Sequence, residues 1–275
     1  MAKQIDNRAI GVFDSGLGGL TAVRQLHHVM PNEDIIYFGD TGRVPYGSRS
    51  RRTILEYTRQ DVAFLNSHDI KAIVVACGTV SSVALGTVKT EQSIPMVGVV
   101  EPSCYAAMKH TKNKRIGIIG TKGTIRSGSY EAKLHTMDPS IHTIARACPL
   151  FVSLVENGRF SPDDKVVQLV IQDYLSEIRD FGVDTLILGC THFPLLYDAI
   201  RAFMGDDVHL IDPGAEAANY IKTFIEPAEQ RVGHTEYYVS DDTESFDANA
   251  EMFLGEPMGV HAQMVDIVSY GKEHK

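Results

Sequence analysis

Two cysteines stand out by their position. Cys77 closes the run Ala72-Ile-Val-Val-Ala-Cys77, and Cys190 closes Thr185-Leu-Ile-Leu-Gly-Cys190. Gly78-Thr-Val-Ser-Ser82 follows the first and Thr191-His-Phe-Pro194 the second, so each thiol is expected where a buried strand hands over to a helix start. A thiol beside free helix N–H groups has its thiolate favoured, which suits it to act as a base or nucleophile. A single such cysteine is most simply a small buried hydrophobe. Two at matching strand exits point to chemistry at a carbon centre: one group takes a proton from one face and the other delivers a proton to the opposite face. Asp14, at the exit of Ile10-Gly-Val-Phe13, falls in the same half as Cys77, and His192 lies two residues after Cys190, each placed to assist a nearby thiol. The plainer roles are a helix cap for Asp14 and a packed polar residue for His192.

Other chemistries fit less well. The Gly16-Leu-Gly18-Gly19 turn carries Thr21 where a dinucleotide fingerprint needs its third glycine, and no phosphate loop of the GxxxxGK[ST] form occurs. A Cys190–His192 hydrolase pair is strained by the two-residue spacing and leaves Cys77 without a task. Any lysine can form an imine with pyridoxal phosphate, but nothing marks one out. The four cysteines include no CxxC pair, so neither a disulfide framework nor a closely spaced zinc site is expected. With 26 basic and 35 acidic residues the formal charge is −9, which argues against general attraction to nucleic acid or anionic membrane. A small anionic substrate then needs local donors. The apolar runs are strand-sized rather than membrane-sized, and no signal peptide is evident, so a soluble cytoplasmic protein is expected.

The elements that must hold these residues are short β-branched runs: Ile10–Phe13, Ile35–Phe38, Ala72–Ala76, Val97–Val100, Ile116–Ile119, Thr185–Leu188 and Val208–Ile211. Helix-length stretches with three- and four-residue apolar spacing lie between several of them, at Leu20–His28, Arg51–Asn66 and Pro162–Phe181. The alternation predicts an α/β chain with mostly parallel sheets covered on both faces. Residues 10–16 resemble 116–122, and 72–77 resemble 185–190, at nearly equal offsets, which suggests two α/β units of similar wiring. The expected division is 1–98 plus 211–275 for the Cys77 unit and 99–210 for the Cys190 unit. The tail, with a strand at His234–Ser240 and a helix at Phe246–Leu254, is expected to return to the first. The short stretch before Ile10 predicts no N-terminal regulatory extension.

Six blocks carry a resemblance: FDSGLGGL at 13–20, YFGDTGRVPYGSRS at 37–50, VVACGTVSS at 74–82, GTKGTIRSGSY at 120–130, CPLFVSLVE at 148–156 and LGCTHFPLL at 188–196 resemble those of bacterial glutamate racemases. Within the wider aspartate/glutamate racemase superfamily, the CTH form at 190–192 with Pro45-Tyr46-Gly47 is similar to the glutamate branch. The resemblance implies two pseudo-symmetric α/β domains with the site in the cleft between them, no cofactor and no metal. It implies Cys77 and Cys190 as paired bases, Asp14 assisting Cys77, and His192 and Glu156 on the Cys190 side. By the same resemblance Ser15, Pro45, Tyr46 and Gly47 surround the side-chain carboxylate, while Thr79, Thr121 and Thr191 hold the amino and α-carboxylate groups. Glutamate as substrate, a role in supplying D-glutamate for peptidoglycan, and a homodimer are implied too. The alternatives are a sister racemase of aspartate or hydantoins and a bilobal binding protein without turnover. Two positions depart from the pattern. Gly78 stands where the family usually has Asn, which predicts a lost amide contact and a gap that water can fill. Ser153 replaces a proline, a change read as local to the backbone.

Overall fold

The computed structural model describes residues 5–271 and contains ten strands: β1 Ala9–Asp14, β2 Ile35–Gly39, β3 Ile70–Val75, β4 Met96–Gly98, β5 Arg115–Gly120, β6 His142–Ala147, β7 Thr185–Gly189, β8 His209–Ile211, β9 Thr235–Val239 and β10 Gln263–Met264. They form two sheets, in the orders β10-β9-β2-β1-β3-β4 and β6-β5-β7-β8, and every adjacent pair is parallel. The order β2-β1-β3-β4 in the first sheet and β6-β5-β7-β8 in the second is the same wiring, so the faint sequence repeat corresponds to strands in equivalent places. The tail contributes β9, which pairs with β2 in the first sheet.

Parallel strands need crossover connections, and helices supply them on both faces of each sheet. The central strands β1, β3 and β7 are buried at every position, which is why they read as uninterrupted apolar runs. The largest apolar cluster runs from Ile10, Val12 and Val74 under the first sheet to Leu186, Leu188 and Phe193 under the second, so the lobes share one core.

Several boundaries differ from the sequence expectation. Val97–Val100 is not one strand: β4 ends at Gly98, and Val100 opens the helix Val100–His110. The turn is fixed by Ser81 Oγ, which accepts from the Val99 amide at 3.2 Å, while Pro102 sits in the first helical turn, where a missing N–H costs no intrahelical bond. The helix expected from Pro162 starts at Lys165, because Asp164 caps it by accepting from the Val166 amide at 2.8 Å. Likewise Asp242 caps the tail helix through the Ser245 amide at 3.0 Å, moving its start to Thr243. Strand β6 went unrecognised because His142-Thr-Ile-Ala-Arg-Ala147 lies on an edge, partly exposed throughout, and carries no apolar run.

Residue register delivers the functional positions. Phe13 pairs with Val75, and Gly120 with Gly189, so Asp14 and Cys77 leave neighbouring strands of the first sheet just as Thr121 and Cys190 do in the second. At the opposite end of β3, Lys71 ties the first sheet together. Its ammonium meets Glu33 at 2.6 Å, with both side chains almost fully buried, and donates to the carbonyls of Asp6 and Glu226 at 2.7 and 2.8 Å. Removing one partner strands a buried carboxylate. Lys71→Met is therefore expected to cost about 3–5 kcal/mol in denaturant unfolding, with part of the loss recovered in Lys71→Met/Glu33→Leu.

Candidate active site

All thirteen expected site residues line one cavity of about 420 Å³ between the lobes. It sits at the carboxyl ends of the strands, where open α/β sheets bind ligands. Leu17, Val44, Lys122 and Val152 also line it and were not singled out from sequence, and Ser153, noted only as a departure from the pattern, lines it as well. Lys122 was recoverable, since it follows Thr121 directly at the β5 exit.

On the first wall, Cys77 precedes the helix Gly78–Val83 as its cap residue and is 4% exposed. Its thiol donates to Ser15 Oγ at 3.5 Å. Burial pushes the Cys77 pKa up to about 12, with the nearby Asp14 charge adding to it, so the group is a neutral thiol at pH 7. Asp14 ends β1 and is itself buried. Its carboxylate accepts from the Gly16 amide at 3.0 Å and from Thr191 Oγ at 3.4 Å, the latter across the cleft. Burial raises its pKa, while His192 and the Gly16 and Gly19 amides pull against that rise.

The second wall is built on a different electrostatic plan. Cys190 Sγ lies 4.0 Å from His192 Nδ1, and His192 Nε2 lies 3.0 Å from Glu156 Oε1. Burial disfavours the charged imidazole, but the hydrogen bonds to Cys190 and Glu156 outweigh burial and lift His192 to about 10. It is an imidazolium at neutral pH, with a partly exposed carboxylate behind it and a sulfur in front. The contact is the one expected of a histidine placed two residues on to assist this thiol. The helical φ/ψ of His192, directly before the short turn Phe193–Leu196, brings the ring toward the sulfur.

Glycines let the walls meet. A Cβ on Gly18 would collide with Thr191 and His192, and one on Gly47 would come within 2.9 Å of Thr121 Cβ. Beside them Thr79 and Thr121 hydroxyls bond across the cleft at 2.9 Å, and Thr21 Oγ reaches the Thr191 carbonyl at 3.0 Å. At Gly78 the structure shows what a side chain would meet first. The space beside it is filled by the Gly189 main chain, whose carbonyl oxygen would overlap a Cβ and whose carbonyl carbon would lie 3.2 Å from it. A backbone of the other lobe thus stands where a β-carbon would, while Gly78 itself lines the cavity. Tyr46 also lines the cavity, but its hydroxyl turns inward onto Asp40 and Asp61, so the phenol is committed to the interior. Ser153 replaces proline within the helix Pro149–Glu156, which stays regular. Among the described residues no group of three or more His, Cys, Asp or Glu side chains is arranged to hold a metal, and no helix is long and apolar enough to cross a membrane.

Comparison with known proteins agrees with this geometry. A glutamate racemase of Geobacter metallireducens is 43% identical over 92% of this chain and 94% of its own. Among solved structures, glutamate racemase of Francisella tularensis in complex with D-glutamate superposes with a TM-score of 0.89 at 38% identity, covering 97% of this chain and all of that one. Glutamate racemase of Thermus thermophilus, in complex with β-chloro-D-alanine, gives a TM-score of 0.85 at 38% identity over 95% of this chain and 98% of that one. The family profile described as Asp/Glu/Hydantoin racemase matches residues 21–221, and with relatives of this similarity along nearly its whole length the chain belongs to that family.

Proposed function

We propose that the cleft interconverts L- and D-glutamate without a cofactor, Cys190 exchanging the Cα proton of the L enantiomer and Cys77 that of the D enantiomer. The observation that carries this reading is the pair of buried thiols at equivalent strand exits in one cavity, each with its own acid–base partner. Family membership and the D-glutamate held by the Francisella relative support the substrate.

The chemistry follows from the charges. The His192 imidazolium lies 4.0 Å from Cys190 Sγ, a positive charge set beside the sulfur that this reading assigns to take the proton. The neutral Cys77 thiol is prepared to give one. Proton removal by Cys190 leaves a carbanion-like centre; a proton from Cys77 on the other face completes inversion. In the reverse direction Cys77 must first have lost its proton, and Asp14 is the nearby group placed to assist. Hydroxyls of Ser15, Thr79, Thr121 and Thr191, with main-chain donors around Gly47, provide neutral hydrogen bonds for the carboxylates. Glutamate is favoured over aspartate by His192 and the Pro45-Tyr46-Gly47 wall, as in the glutamate branch that the sequence resembles. In this reading the lobes divide as 1–98 with 211–275 and 99–210. The product serves peptidoglycan synthesis in the cytoplasm, and the protein acts as a homodimer.

Dialysed, chelator-treated protein is expected to bring the circular dichroism of an L-glutamate solution to zero, whereas loss of activity restored only by pyridoxal phosphate or a metal would contradict a cofactor-free site. Serine in place of either cysteine is a far weaker acid, so Cys77→Ser and Cys190→Ser should each lose racemisation. An analogue that expels a β-leaving group after deprotonation needs only one base. Cys77→Ser should then still eliminate from the L form and Cys190→Ser from the D form, and equal loss from both enantiomers would refute the assignment. At Gly78, adding a methyl group pushes directly on the Gly189 carbonyl. Gly78→Ala is expected to lower kcat/KM by about tenfold or more with little change in thermal midpoint, and Gly78→Asn to do no better. A fall in KM for Gly78→Asn would show that the lobes yield to the side chain.

A further inference from the structure

Under the Pro45-Tyr46-Gly47 wall lies a buried group of charges that the proposed chemistry does not use. Asp40 follows β2 directly and Asp61 lies within the helix Arg51–Asn66; both side chains are fully buried. Arg43 Nε donates to Asp40 Oδ2 at 2.6 Å and its Nη2 to Asp61 Oδ1 at 2.9 Å, while Nη1 reaches Gln60 Oε1 and the guanidinium lies 4.1 Å from the Tyr57 ring centroid. Ser240 Oγ donates to Asp40 Oδ1 at 2.7 Å. The Tyr46 hydroxyl is within hydrogen-bond distance of Asp40 Oδ2 and also of Asp61 Oδ2, the latter at 3.1 Å.

Counting hydrogens decides what this arrangement requires. A phenol has one hydrogen to donate. Asp40 Oδ2 already takes a charge-assisted bond from Arg43, which marks it as a carboxylate oxygen that also receives the phenol hydrogen. Asp61 Oδ2 then faces Tyr46 Oη lone pair to lone pair, unless it carries a hydrogen of its own. Charge gives the same answer: two carboxylates around one guanidinium leave a buried negative charge uncompensated, which is costly. Burial, reinforced by the Asp40 and Asp14 charges and only partly opposed by Arg43 and Tyr46, pushes the Asp61 carboxyl well above the usual range.

We propose that Asp61 is held as the neutral acid and donates to Tyr46, forming a chain from Asp61 through the phenol to Asp40 that fixes the Pro45-Tyr46-Gly47 wall of the cleft. Asp61 and Arg43 are thus positioning residues. They touch no substrate, but they set where Gly47 stands against Thr121. The consequence for binding rests on the glutamate reading of the cleft; the location of the proton does not.

Asparagine reproduces a neutral acid, with an amide donor toward Tyr46 and a carbonyl toward Arg43, whereas alanine removes both. Asp61→Asn is expected to keep kcat and KM for glutamate within about twofold, and Asp61→Ala to raise KM about tenfold while changing kcat much less. An infrared difference spectrum of wild type against Asp61→Asn at neutral pH should show a carboxylic-acid carbonyl band belonging to Asp61. If Asp61→Asn is as damaging as Asp61→Ala, or if the difference spectrum holds only carboxylate bands, the proposal falls. The spectrum needs no turnover, so it remains decisive if Asp61→Ala does not fold or if glutamate proves not to be the substrate.

Discussion

The two lobes approach each other through glycines around the cleft, and the other features of the site depend on that approach. Gly18 lies against Thr191 and His192, Gly47 against Thr121, and Gly78 against the Gly189 carbonyl. At each of these three points a β-carbon would be in collision or nearly so, which means that the residues are glycine for want of space and not for want of a left-handed backbone. Close approach is what lets Thr191 of one lobe bond Asp14 of the other, and Thr79 bond Thr121. It also keeps the two thiols largely out of water, Cys77 at 4% and Cys190 at 7% exposure.

The same closeness explains how a chain of net charge −9 can hold an acidic substrate. Long-range attraction is unfavourable, and what the cavity wall offers instead is short-range donors: hydroxyls, main-chain amides, the His192 imidazolium and Lys122. Hydrogen bonds gain strength in a water-poor cleft, and a buried donor left unsatisfied costs more than a satisfied one yields. Arg43 does not line the cavity. It is paired with Asp40 and Asp61 beneath the wall, which leaves the wall itself electrically quiet.

Much of this was legible in the residues. Cys77 and Cys190 could be placed at strand exits because β3 and β7 are buried on both faces and so read as unbroken apolar runs ending in a turn signal. Equivalence of the lobes was visible at β1 with β5 and β3 with β7, the central strands, and invisible at β2 with β6, since the β6 edge strand carries polar residues that mask its period. What the sequence withheld is tertiary. Nothing near Gly78 says that Gly189 presses on it, and nothing near Tyr46 says that its phenol points to Asp61, which sits in mid-helix with no local cue. Capping residues Asp164 and Asp242, by contrast, were available and would have fixed two helix starts correctly.

Pseudo-symmetry of fold coexists here with asymmetry of chemistry: a cationic partner stands beside Cys190, and a buried acid beside Cys77. Enantiomers have equal free energy in water, so a racemase must have the same kcat/KM in both directions whatever its two sides look like. The unlike partners therefore cannot favour one product. They can only redistribute the barrier, letting one direction combine a low KM with a low kcat and the other a high KM with a high kcat. Under the proposed assignment, a Cys77 thiol whose pKa burial raises to about 12 makes the form that accepts D-glutamate the scarcer one in the empty cleft, and the His192 imidazolium stands beside the sulfur of the form that accepts L-glutamate. That equality follows from the equal free energies of the enantiomers and not from the strength of either base, so the asymmetry is visible only in how each direction divides between binding and turnover.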